Sequence, residues 1–533
     1  MKRKLLCLAL ALLMLLPMLI ACAKSNIAET GEHYLPEELF AKVKAAFEEK
    51  DASFFPGLDY SNAPFSISDN AFAGKKLHSI SLPVYRTGKV DEEGLLTFTL
   101  FVLPNTYNAL ISTRMTDVTR YEIKIDPAEY DLEAEKRNVF KYITVDLTEY
   151  EIQLSDTQTL AFGVSSDTIL LAAMSTSTSS SKMPEALKEW KEEWLTTGYH
   201  AQLFSGSEGK DKGGLFYDRD SIPIDLVFDY GTPEAKAAVI AEREQAAAEY
   251  AAKVAAVKAA YEGKYLSLIG DSISSFAGVT DNTKYNDILT LNRSYYSANY
   301  LNDYTQMYWG RLAEDTEMEL CVINGWSSSK VYGGGQDKNN NVDATKDNML
   351  VRSTELHNKE GNTPDVILLY LGINDVSYKN WSDLYDRLSA ANGKSEAQIV
   401  EEWMVGVNAT YEANKEQIVP GETYTSWEAS YALSLAQMKA TYPDAEIHII
   451  NLTRSHHHSG EEEKINKANT CLSALAAYFG VTVIDQANSE VTYENCHLFG
   501  ADEADPVGLH PNLRGHAALT KLIVETLYEK LPK

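Results

Sequence analysis

Cysteine is scarce, with five in 533 residues. Two of them, Cys7 and Cys22, fall in or just after an apolar N-terminal run. Cys321, Cys471 and Cys496 remain, an odd number at scattered spacing. That argues against a disulfide framework and against a CxxC metal site, and Cys321, within Cys321-Val322-Ile323, reads as a small core residue. Positive charge is also in deficit: 48 Lys and Arg stand against 76 Asp and Glu, a formal net charge of −28. No basic stripe rises above that background, so nucleic acid is not an expected partner, nor is an anionic membrane surface. The chain has a single long apolar run, Leu5 to Ile20, too short and wrongly flanked for a stop-transfer span. The whole chain is 44% hydrophobic and 23% charged, as in globular proteins. A chain of this length divides naturally between two sizeable cores.

Residues 1–22 are expected to be removed or modified. Lys2, Arg3 and Lys4 precede the apolar run, which ends in Leu19-Ile20-Ala21-Cys22. That ending resembles the lipobox of bacterial lipoproteins, in which the residue matching Cys22 is lipidated and becomes the mature N-terminus. The resemblance implies an exported protein on the outward face of the cell membrane, touching the membrane only through acyl chains.

Residues 33–231 read as mostly strands. Leu77 to Val84, Leu95 to Leu103, Tyr121 to Ile125, Phe140 to Leu147 and Ile224 to Phe228 are short β-branched and aromatic runs bounded by turn formers. They point to a β-sandwich-like accessory domain. It resembles a carbohydrate-binding module. Helical stretches interrupt it at Pro36 to Glu49 and at Pro184 to Leu195, where Trp190 and Trp194 form a core stripe rather than a sugar platform. Ser175 to Ser181 reads as a loop.

Residues 232–263 change character. Thr232 is an N-cap, Pro233 takes the first helical position, and alanine-rich sequence runs to Tyr261 before Gly263. Such a helix serves as an interdomain connector, or alternatively as a first helix packed on the domain that follows.

From 264 to 533, strands alternate with helices. Tyr265 to Ile269, Leu320 to Ile323, Val366 to Leu371, Ile447 to Leu452 and Val481 to Ile484 are continuous apolar runs, as expected of strands buried on both faces. Helical stretches such as Trp427 to Thr441, Glu461 to Phe479 and Pro511 to about Glu529 complete a βα pattern around a parallel sheet. Ligands bind such sheets outside the carboxyl ends of the strands. Reactive residues stand at that edge: Gly270-Asp271-Ser272 after strand one, Gly372-Ile373-Asn374-Asp375 after strand three, and His510-Pro511-Asn512 opening the last helix. A serine hydroxyl becomes a competent nucleophile when an imidazole takes its proton, and the resulting oxyanion needs fixed donors. Ser272 has the chemistry of the nucleophile, His510 of the base, and the Asn374 amide of an oxyanion donor.

Leu268-Ile269-Gly270-Asp271-Ser272, Gly372-Ile373-Asn374-Asp375 and Gly508-Leu509-His510-Pro511-Asn512 resemble the signature blocks of SGNH (GDSL) hydrolases. The resemblance covers roughly residues 264–533 and implies a flavodoxin-like three-layer α/β fold. It further implies cofactor-free, metal-independent ester hydrolysis through an acyl-enzyme, with the backbone N–H of Ser272 in the oxyanion hole. Two positions depart from the family pattern. The second block supplies a glycine N–H beyond strand two, where this chain has Asn324-Gly325-Trp326-Ser327-Ser328-Ser329; Ser328 is the expected donor and Gly325 the second candidate. An aspartate three residues before the histidine is replaced by Val507, so either Asp505 reaches the His510 ring or a carbonyl orients it. His457, within His456-His457-His458 after strand four, is a candidate binding residue at the same edge. Arg352 and His357 read as surface residues able to reach an acidic group.

The expected function is a lipid-anchored serine esterase acting on a small ester or acylated polysaccharide. A lipase, phospholipase or thioesterase on the same fold is the alternative within enzymes. A carbohydrate-binding lipoprotein with a decayed hydrolase domain is the alternative outside them.

Overall fold

The five apolar runs of the C-terminal half become one parallel sheet: β1 (Tyr265–Gly270), β2 (Glu319–Gly325), β3 (Val366–Tyr370), β4 (Glu446–Ile450) and β5 (Thr482–Ile484), in spatial order β2-β1-β3-β4-β5. This is the strand order of the flavodoxin-like fold, with its switch point between β1 and β3. The structure, a computed structural model, describes residues 27–48, 54–56, 65–67, 75–86, 96–104, 119–132, 138–155, 158–165, 168–175, 201–205, 214–222, 224–276, 301, 304–331, 348–376, 381–391, 393–415, 426–453, 462–492, 496, 499 and 509–532.

Every residue of β3 is buried, because helices cover both faces and leave no side of the strand to solvent. The one polar residue inside β1, Ser267, is fully buried but satisfied, its hydroxyl donating to the Leu356 carbonyl at 2.8 Å. Among the described residues the longer helices of this half are α1 (Pro233–Tyr261), α2 (Tyr308–Thr316), α3 (Leu384–Ala390), α4 (Glu396–Asn414), α5 (Trp427–Thr441), α6 (Glu462–Phe479) and α7 (Leu513–Lys530). Ser395 and Gln398 close a reciprocal capping box on α4, and Ser426 caps α5 through Ala429 N–H. Each supplies an oxygen to an N–H that the helix leaves unpaired.

Helix α1 begins as its residues require, with the Thr232 side chain accepting from Ala235 N–H and Pro233 in the first turn. It ends where Gly263 takes φ +73°, a left-handed conformation that costs glycine little. Most of its length is exposed, but Val257 and Tyr261 are buried in the hydrolase core. Lys253 pairs with Glu525 of α7 at 2.8 Å, and Lys258 pairs with Glu317. At the other end Arg243 and Tyr230 both hold Glu32, and Lys236 donates to the Gly31 carbonyl. The helix is thus fastened to residues of both halves.

In the N-terminal half every described strand pairing is antiparallel. Lys76–Arg86, Leu96–Pro104, Thr119–Ile125, Val139–Asp146 and Asp225–Asp229 are strands, matching the runs expected there. Leu77, Ile80, Leu82, Phe98, Leu100, Phe162 and Leu226 lie in one buried cluster; Ile80 with Leu82 and Phe98 with Leu100 are two apart on their strands, and Leu77 joins them across a register shift opposite Val227 and Phe228. Pro36 to Glu49 is the helix Glu37–Glu48. Pro184 to Leu195, with Trp190 and Trp194, lies outside the described residues. Among the described residues no helix is long and apolar enough to cross a membrane.

Candidate active site

The site forms at the carboxyl edge of the sheet. Asp271 leaves β1 and its carboxylate accepts from Ile273 N–H at 3.0 Å, winding Ser272–Ser274 into a single 3-10 turn. Gly270 makes the turn possible, because a Cβ there would sit 2.1 Å from Ser274 Oγ. The turn leaves Ser272 largely buried at 6% exposure. At the far end of the domain Asn512 caps α7, its side chain accepting from Gly515 N–H at 2.9 Å. Its own N–H donates to the Phe499 carbonyl at 2.7 Å. These bonds set the residue two positions earlier: His510 Nε2 lies 2.8 Å from Ser272 Oγ. Residues 238 apart in the chain thereby stand at hydrogen-bond distance, the separation a general base needs from its hydroxyl.

The N-terminus of α2 bridges the two elements, a connection that sequence reading missed. Tyr308 Oη lies 2.8 Å from Ser274 Oγ, and Trp309 Nε1 donates to the Ser274 carbonyl at 3.1 Å. From the same turn Tyr308 N–H donates to His516 Nδ1 at 3.3 Å, and Thr520 Oγ1 of α7 donates to the Tyr308 carbonyl at 3.1 Å. Burial pushes His516 down to about 3, so its ring stays neutral and Nδ1 remains an acceptor at physiological pH. The only sequence trace of this bridge is an aromatic pair followed by Gly310, whose Cβ would collide with the Tyr304 carbonyl at 2.0 Å.

Beyond β2 the chain turns tightly, Ser329 N–H donating to the Trp326 carbonyl at 3.1 Å. Inside that turn Ser328 is exposed and takes φ +64°, the left-handed conformation for which glycine is the low-cost residue. Serine occupies the backbone geometry of a glycine, and its N–H is the part a donor role requires. Gly325 has another task. It is the last residue of β2, and a Cβ there would lie 2.8 Å from the Ser274 carbonyl oxygen. Its smallness lets β2 pass beside the Ser272–Ser274 turn.

Two substitutions separate these roles. Ser328→Gly is expected to leave kcat unchanged and to relieve roughly 1 kcal/mol of strain, raising Tm by about 2–4 °C. Gly325→Ala is expected to lower Tm and to reduce kcat by displacing Ser274. A calorimetric scan with initial rates checks both, and a fall in kcat for Ser328→Gly would contradict the assignment of its backbone.

Asn374 is held by its own amide, Nδ2 donating to the Ser329 carbonyl at 2.9 Å. That bond turns the NH2 end towards the loop after β2 and leaves a second amide hydrogen for another acceptor. The next residue, Asp375, is buried and accepts from Val331 N–H at 3.0 Å. Burial pushes its carboxyl well up, and the nearby Asp271 and Glu428 carboxylates push the same way.

Asp271 itself is pushed up to about 7 from its ordinary 3.8, chiefly by burial, against the pull of Ile273 N–H and of the Arg352 charge. The folded chain therefore holds this proton more tightly than the unfolded chain does. Its contribution to stability is complete below the unfolded value near 3.8 and is lost as pH rises through about 7. Asp271→Asn keeps an acceptor for Ile273 N–H and cannot ionise. It should flatten the decline of Tm between those two pH values, and an unchanged slope in a pH series of melts would count against this account.

Arg352 was expected at the surface and is instead fully buried, because it faces the ends of β1 and β2 rather than solvent. His357 lies beside the Tyr442 hydroxyl, at 3.5 Å. Cys321 and Cys471 are buried free thiols, each pushed up by burial. Cys22, His457 and Asp505 lie outside the described residues.

A parallel sheet in the order 2-1-3-4-5, with a serine and a histidine paired at its carboxyl edge, defines a flavodoxin-like domain of the SGNH type. Residues 268–518 match the family model described as the GDSL-like Lipase/Acylhydrolase family, and this region is a GDSL-like ester hydrolase domain. No curated protein matches the chain. Among solved structures, one described as a GDSL-like lipase from Bacteroides ovatus shares 18% identity over 50% of this chain and 100% of its own, with a TM-score of 0.31. A family two carbohydrate esterase from Cellvibrio japonicus shares 11% over 89% and 97%, TM-score 0.28. A Corynascus thermopiles carbohydrate esterase family 2 enzyme with its carbohydrate binding domain shares 10% over 90% and 99%, TM-score 0.29.

Proposed function

We propose that the protein is an exported, lipid-anchored serine esterase that removes acetyl or other small acyl groups from carbohydrate. The observation that carries the hydrolytic part is the 2.8 Å approach of His510 Nε2 to Ser272 Oγ. In the proposed reaction Ser272 Oγ attacks the ester carbonyl carbon as Nε2 takes its proton. The carbonyl oxygen becomes an oxyanion, received by the N–H groups of Ser272 and Ser328 and by Asn374 Nδ2. Collapse breaks the bond to the alkoxy oxygen, which leaves as the alcohol with the proton from His510. Water then attacks the acyl-enzyme, with His510 again as base, and the acid departs. The imidazole is oriented by Asp505 or by a main-chain carbonyl; a large loss of kcat in Asp505→Asn selects the first and wild-type kcat the second.

Support for the carbohydrate substrate is the antiparallel, strand-rich half fastened through α1 to the hydrolase domain, which suits a module that holds a polymer near the site. Support for the anchor is the Leu19-Ile20-Ala21-Cys22 sequence after a short apolar run. The test offers the protein lacking residues 1–22 nitrophenyl acetate, longer nitrophenyl esters and an acetylated polysaccharide. Preference for acetate, with acetate released from the polymer, supports the proposal. Preference for long acyl chains moves it to a lipase. Mass spectrometry of the exported full chain, beside Cys22→Ser, tests the anchor: acyl groups on Cys22 are expected, and an unmodified N-terminus refutes it.

A further inference from the structure

Arg352 ends a one-turn helix, Met349–Arg352, and its side chain is among the largest that are fully buried. A guanidinium removed from water is costly unless its hydrogens are matched, and an apolar side chain would fill the same volume without that cost. Here the matches are specific. Nη2 donates to the Gly270 carbonyl at 2.6 Å and to the Asn324 carbonyl, at the ends of β1 and β2. Nε donates to Asn324 Oδ1 at 3.0 Å, and Nη1 donates to Ser329 Oγ at 3.1 Å.

Ser329 is the junction. Its hydroxyl faces Arg352 and also lies 3.4 Å from the Gly270 carbonyl. Its own carbonyl accepts Asn374 Nδ2 at 2.9 Å. By peptide linkage it directly follows Ser328, whose φ of +64° an unsupported serine would leave. One buried cation therefore reaches the segments of all three proposed oxyanion donors: Ser272 through Gly270, Ser328 through its neighbour, and Asn374 through the Ser329 carbonyl.

We infer that Arg352, acting through Ser329, is a positioning residue that holds the oxyanion donors in register with the nucleophile. The inference rests on the oxyanion roles proposed above. Its planar fork serves several acceptors at once, which a lysine ammonium at the end of a flexible stem cannot reproduce.

The experiment compares Arg352→Lys, Ser329→Ala and the double variant on nitrophenyl acetate, with affinity for a trifluoromethyl ketone read beside affinity for acetate. Arg352→Lys is expected to lower kcat about a hundredfold, the scale of a small misplacement of catalytic groups, with KM and acetate affinity unchanged. Affinity for the ketone, whose adduct carries the oxyanion, should fall by the same factor as kcat. Ser329→Ala is expected to lower kcat about tenfold, the scale of one lost hydrogen bond. The double variant should be no worse than Arg352→Lys alone, because both act on one network. Wild-type kcat in Ser329→Ala, or full additivity in the double variant, overturns the proposal. Should Arg352→Lys not fold, Ser329→Ala with the paired inhibitor affinities decides it. If Asn374→Ala also keeps wild-type kcat, the oxyanion reading has failed; if Asn374→Ala is impaired and Ser329→Ala is not, only the positioning role has.

Discussion

Ser272→Ala is expected to lower kcat on nitrophenyl acetate by roughly 10⁶-fold, the scale on which removing a serine nucleophile or its base acts. His510→Ala should lose about as much, and the double variant little more, because proton acceptance and attack belong to one event. The geometry makes the claim sharp: Ser272 is 6% exposed and its Oγ is 2.8 Å from Nε2. Alanine leaves the Asp271 and Ile273 contacts of the turn intact, so the fold should survive and Tm should barely move. A burst of nitrophenol from the parent, absent from the variant, would show the acyl-enzyme directly. Retention of turnover in purified Ser272→Ala would remove Ser272 from the mechanism and shift weight to a binding lipoprotein.

Asn374→Ala should lower kcat/KM by about 10²–10³-fold, the loss measured when one side-chain donor leaves an oxyanion hole. The stability cost should be near 1 kcal/mol, since a single bond to the Ser329 carbonyl goes with it. Asn374→Asp sharpens the test. A carboxylate has no N–H to offer either the oxyanion or the Ser329 carbonyl, and it places negative charge where negative charge develops. Its kcat should fall below that of the alanine variant. Equal activity for the parent and both variants would mean that the Asn374 bond to Ser329 is only a brace for the loop.

Much of the hydrolase domain was legible as sequence because its strands are buried on both faces. Val366 to Leu371 could hardly be anything else, and β3 is Val366–Tyr370. The motif positions after strands one and three, and before the last helix, were legible for a related reason. A parallel sheet brings all its carboxyl ends to one edge, so chain position alone says which residues meet there. For Ser328 the sequence reading was a condition on the backbone, that serine adopt a glycine-like conformation, and its φ is +64°.

Arg352 and Tyr308 were not legible. Arg352 contacts residues 28 and 82 positions away, and no local pattern distinguishes a buried arginine from an exposed one. Tyr308 reaches Ser274 and His516 across separations of 34 and 208, with no spacing rule to announce it.

The amino-acid sequence by itself determined the class of fold, the edge at which chemistry occurs and the residue types that meet there. Apolar periodicity, caps and turn formers act over a few residues, and those signals are written locally. Tertiary structure alone decided the distance between Ser272 and His510, the burial that pushes Asp271 up to about 7, and the guanidinium beneath the loop after β2. Those depend on how separated segments exclude water and match donors to acceptors, which becomes defined only when the sheet closes and its helices pack.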